Sequence, residues 1–141
     1  MAFRTPTQKI LMLAMALALS TGSASALAQP PQVQNVNGIA FVTGGVGDES
    51  MAELADLENQ FDLKLFLVGQ SGSYLSDINV TIIDAQGKGV LLTTSEGPVL
   101  LAKLASGTYT VKATKNGHTL EQKLIVTLGQ LRTIYLRFPN E

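Results

Sequence analysis

Cysteine and tryptophan are both absent from this chain, and histidine occurs once, at His118. Without a thiol there is no disulfide, no thiol nucleophile, no CxxC redox pair and no cysteine-based metal site. One histidine cannot build a catalytic triad or a metal cluster unless carboxylates converge on it. His118 follows Asn116-Gly117, a strong hairpin-turn signal, which places it at an exposed tip. Basic charge is also scarce: ten Lys and Arg stand against eleven Asp and Glu. No basic stripe appears, which excludes the usual footprint of nucleic-acid or anionic-membrane binding.

Long apolar runs are missing too, apart from one near the start. Residues 10–19, "ILMLAMALAL", follow Arg4 and Lys9 and precede the small-x-small triplet Ala26-Leu27-Ala28. Residues 1–28 therefore read as a secretory signal peptide cut after Ala28. The run is shorter than the roughly 20 residues a membrane span needs, so no span is expected after cleavage. Cleavage there leaves 113 residues with eight Lys and Arg against eleven Asp and Glu, a net charge of −3. That length suits one domain with one core. Export permits disulfides, so a chain without cysteine must rely on packing and sheet hydrogen bonds.

Residues 29–37, "QPPQVQNVN", are polar with two prolines and read as a disordered or extended leader. Residues 38–60 hold a short β-prone run, "GIAFV", a glycine-rich turn and a helix. The turn and helix start, "TGGVGDESMAEL", have the outline of a phosphate loop. The P-loop pattern requires a lysine after the last glycine, but Asp48 and Glu49 stand there, and the next lysine is Lys64. The stretch therefore reads as a hinge. Asp48 is expected as the helix N-cap, and Met51, Leu54, Ala55 and Leu57 as its apolar stripe. Six acids fall between Asp48 and Asp62 with no base among them. Asp48, Glu49, Glu53 and Asp56 are weak candidates for a cation. The EF-hand pattern is missing, and a solvated helix face accounts for them. No metal site and no cofactor is assigned.

From residue 61 to 141 the apolar period becomes two. Leu63, Leu65 and Leu67 alternate with polar or outward positions, as do Val80 and Ile82. Tyr109, Val111 and Ala113 share one face. Leu124, Val126 and Leu128 are expected inward, as are Ile134, Leu136 and Phe138. Turn signals recur about every ten residues, the mark of a β-sandwich or barrel. The expected fold is mainly β: a seven- or eight-stranded antiparallel Greek-key sandwich with one short N-terminal helix.

The run "LAKLASGTYTVKATKNGHTLEQKLIVTLGQLRTIYLRF" resembles the closing half of a carboxypeptidase regulatory-like, transthyretin-like domain. The likeness rests on Leu104, then Gly107, Thr108, Tyr109, Thr110 and Val111; Ser106 stands where a close variant has proline. "GGVGDESMAEL", "LKLFLVGQSGSYLSDINVTIIDAQGKGVL" and "EGPVLLAKL" resemble small exported proteobacterial proteins, Burkholderia among them, that carry one such domain. The resemblance implies a prealbumin-like sandwich in the periplasm or outside the cell. It implies an accessory role in binding, adhesion or stabilisation. One branch of that fold hydrolyses a purine-derived ring with several His and Arg residues and a C-terminal Tyr-Arg-Gly-Ser. This chain ends "RFPNE", so that activity is not expected.

The functional expectation is a non-enzymatic binding or structural module of the bacterial envelope, with an envelope protein as partner. The alternative is a carbohydrate-binding module, in which Tyr74 and a second aromatic, such as Tyr135, lie exposed on one face. With no tryptophan and three tyrosines, these are the candidate surface aromatics.

Overall fold

The computed structural model describes residues 30–139. The export segment, residues 1–28, and its cut after Ala28 lie outside them. Nine strands occur among the described residues: β1 (Gln34–Val36), β2 (Ile39–Gly44), β3 (Leu63–Gly69), β4 (Asn79–Ile83), β5 (Gly89–Thr94), β6 (Val99–Ala102), β7 (Gly107–Lys115), β8 (His118–Val126) and β9 (Arg132–Phe138). One helix, α1 (Asp48–Leu57), runs into a 3-10 turn (Glu58–Gln60). The strands form a five-stranded sheet in the order β1-β2-β6-β3-β9 and a four-stranded sheet in the order β5-β4-β7-β8.

The period-two segments explain the sandwich. Leu63, Leu65 and Leu67 of β3 and Ile134, Leu136 and Phe138 of β9 meet Val80, Ile82, Val111, Ala113, Leu124 and Val126 from the other sheet. All are buried. Each Val, Leu, Ile or Phe among them contributes about 1.5–3 kcal/mol when taken fully from water, which replaces the stabilisation disulfides would supply. Tyr109 joins this core and donates its hydroxyl to the Ala105 carbonyl at 2.8 Å.

The outer face of the larger sheet carries a second apolar cluster. Val42, Val99 and Leu101 pack with Leu54 and Phe61, and half-buried Met51, Leu57 and Phe66 lean on them. This is why every residue of β6 is buried: one face meets the sandwich core and the other meets α1. The apolar stripe of α1 docks as the spacing predicts, except that Ala55 is exposed.

Several expectations change. The strand count is nine, because the supposed leader forms β1. Asn37 (φ 52°) and Gly38 (φ 82°) make a two-residue hairpin turn that returns β1 onto β2. Both angles are positive, as a type I′ turn requires, and the Asn35 side-chain oxygen accepts the Gly38 N–H at 3.1 Å. The larger sheet is mixed rather than antiparallel, since β9 runs parallel to β3 over its whole length. The chain reaches β9 by crossing from the other sheet, so it can enter in either direction. The strand in residues 38–60 is part of the larger sheet: β2 pairs with β6, and Phe41 lies in the main core. Leu128 is 74% exposed, because β8 ends at Val126 and the chain leaves the sheet there.

The glycine-rich stretch is a tight joint. The helix cap is Gly47 (φ 88°), and Asp48 is the first helical residue with no side-chain cap bond. The Ser50 hydroxyl instead holds the loop, accepting the Gly45 N–H at 2.9 Å. A side chain at Gly45 (φ 100°) would meet Met51, Pro98 and Val99. Glycine is therefore required at position 45 by both conformation and space.

Candidate aromatic binding face

Strand β3 places Lys64, Phe66 and Val68 on the outer face, in alternation with the core leucines. Strand β9 does the same with Thr133, Tyr135 and Arg137. The parallel register sets Lys64 beside Thr133, Phe66 beside Tyr135 and Val68 beside Arg137. The rings of Phe66 and Tyr135 lie 5.5 Å apart at 26°, a stacked pair.

Tyr74 reaches the same face by another route. Strand β6 pairs with β3 only through Phe66. Beyond that point the segment after the Ser71–Ser73 turn takes its place. Gly69 N–H donates to the Ser73 carbonyl at 2.8 Å, Leu75 N–H donates to the Leu67 carbonyl at 3.1 Å, and Tyr74 bridges Val68. The Tyr74 ring then sits 5.4 Å from Phe66, tilted by 58°. Tyr74 and Tyr135 are each 61% exposed, with half-buried Phe66 between them. The two tyrosines proposed from sequence are thus joined on one face, beside the part of the sheet that α1 covers.

Charge on this face is also organised. Lys64 pairs with Glu58 of the 3-10 turn, and its ammonium lies 5.6 Å from the centre of the Phe66 ring. That is within cation–π range. Lys64 thereby fastens the turn after α1 to the ring that anchors the aromatic face. It is the single salt bridge among the described residues. Arg137 is exposed and has no carboxylate partner among them.

The remaining candidates are not assembled into sites. Asp48, Glu49 and Asp56 are exposed along α1 and Glu53 is half-buried. Among the described residues no three His, Cys, Asp or Glu side chains come together to hold a metal. His118 is exposed at the first position of β8, opposite Lys115 at the hairpin tip. No helix among the described residues is long and apolar enough to cross a membrane.

Phe66 and Arg137 were not legible as site residues. In sequence Phe66 belongs to the apolar run "LFLV", and Arg137 is one of several alternating polar positions in the last strand. Only the parallel pairing of strands far apart in the chain brings them together.

Residues 58–127 match the secretion system C-terminal sorting domain family. The match runs from the 3-10 turn through β8 and leaves out β1, β2, α1 and β9. No curated protein matches the chain.

Proposed function

We propose that this protein is an exported, non-enzymatic module that binds a glycan on the face formed by Tyr74, Phe66 and Tyr135. The observation that carries this reading is the exposure of two tyrosines on either side of one phenylalanine. A tyrosine ring offers an apolar face and a polar tip. A sugar ring offers a patch of C–H bonds and a rim of hydroxyls, so the two surfaces match. Export is supported by the signal-peptide pattern of residues 1–28 and by the sorting-domain match. The resemblance to carboxypeptidase regulatory-like accessory domains fits the same reading, with the bacterial periplasm or cell surface as its place.

A protein partner is the second reading. It is favoured by the edge of β9, whose far side has no strand neighbour among the described residues. A partner strand could add there through main-chain hydrogen bonds. The two readings separate cleanly. Glycan-array binding by the purified domain, lost in Tyr74→Ala and Tyr135→Ala, supports the aromatic face. Absence of glycan binding, together with capture of a partner that proline substitution in β9 abolishes, supports the edge.

A further inference from the structure

Resting on the glycan reading, we propose that the ligand is an acidic polysaccharide bearing carboxylates, and that Arg137 is the residue that selects it. The geometry around Val68 points to this. Val68 is in register with Arg137 on one side and bridges Tyr74 on the other. Two strand spacings put the Cα atoms of Tyr74 and Arg137 about 10 Å apart. Val68, only 5% exposed, is covered between them. Phe66 and Tyr135 occupy the next row on the same face, two residues back along each strand. A cation therefore flanks the aromatic platform, one row along the same face.

The two cations on this face differ in availability. Lys64 is engaged with Glu58 and leans toward the Phe66 ring. Arg137 is exposed and unpaired with any described carboxylate. Guanidinium presents a planar fork that matches a carboxylate with two parallel hydrogen bonds, a stronger contact than one between neutral groups. A sugar ring stacked on Tyr74 or Tyr135 would bring a uronate carboxylate of the same chain within reach of that fork. A neutral glycan would use the rings and leave Arg137 in water. The exposed acids of α1 lie on the helix, which covers the β2 and β6 side of this sheet face.

The test uses the purified domain, a polyuronate, and the same polymer with its carboxyl groups reduced to hydroxymethyl groups. Affinity electrophoresis or calorimetry should show the polyuronate bound roughly tenfold or more tightly than the reduced polymer. Arg137→Gln should remove that preference while leaving weak binding of the reduced polymer. Arg137→Lys should keep part of it, because a point charge remains without the fork. Tyr74→Ala should weaken both polymers. Equal binding of the two polymers, or a preference that survives Arg137→Gln, overturns the acidic assignment and leaves the glycan reading standing. Tighter binding of a sulfated polymer than of the polyuronate also overturns it. Binding of neither polymer by the wild type, with no other glycan retained, overturns both.

Discussion

Gly97 packs directly against Gly44: a Cβ built at Gly97 would collide with the Gly44 carbonyl group. The same turn donates the Glu96 N–H to the Thr43 hydroxyl at 2.9 Å. The Ser95–Pro98 turn is thus seated on the end of β2, where the glycine-rich joint begins. The joint works because two backbones touch with no side chain between them.

Gly97→Ala should therefore destabilise the fold by overpacking, by about 1–3 kcal/mol. The clash is with backbone, which cannot swing away. Gly89→Ala is the matched control, since a methyl group there meets nothing within 4 Å. Urea denaturation should separate the two, and equal midpoints would show that the Gly97–Gly44 contact is dispensable.

Leu54 is the one fully covered residue of α1. Leu54→Ala should cost about 2–5 kcal/mol of local packing, in a cluster separate from the sandwich core. Hydrogen exchange should accelerate across α1 and the 3-10 turn while the amides of β7 and β8 stay protected. Uniform acceleration across both sheets would instead mean that helix and sandwich unfold as one unit.

Tyr109 titrates above its ordinary value of 10.0, chiefly because burial penalises the phenolate, with Asp84 and then Asp62 adding to the effect. The folded state then holds this proton more tightly than the unfolded chain does. The resulting stability is complete below the unfolded value and is lost as pH rises through the raised one. Thermal melts should fall above pH ~10. Tyr109→Phe should flatten that fall, while costing about 1 kcal/mol at neutral pH for the lost bond to Ala105. An unchanged alkaline slope would place the titration elsewhere.

Gly38 and Gly117 have nearly the same backbone, with φ of 82° and 80°. A left-handed angle costs a non-glycine residue about 1–2 kcal/mol. Gly117→Ala should show this in full, because β7 and β8 pair over nine residues each. Gly38→Ala should show less, because three-residue β1 can detach and release the strain. A larger loss of melting temperature at Gly38 than at Gly117 would contradict this ranking.

The legible part of this protein was the local part. Alternation in Leu63, Leu65 and Leu67, in Tyr109, Val111 and Ala113, and in Ile134, Leu136 and Phe138 settled which side chains enter the core. A strand's two faces are set by its own backbone, whatever its neighbour. The Asn116-Gly117 hairpin was legible for the same reason. Asn37-Gly38 carries the same signal, but the prolines and glutamines around it mask it. The missing lysine after the glycines was enough to exclude a phosphate loop.

Adjacency belongs to the tertiary structure. Nothing in the pattern of β9 says that it lies beside β3, nor that it runs parallel to it, because pairing depends on chain crossings between sheets. That one pairing sets Tyr135 on Phe66 and Arg137 beside Val68. The early end of β6 then lets Tyr74 approach from the other side. Composition and periodicity alone establish an acidic, disulfide-free β domain with two candidate surface tyrosines. The fold puts those tyrosines on one face, because residues distant along the chain become neighbours only when the strands between them are placed.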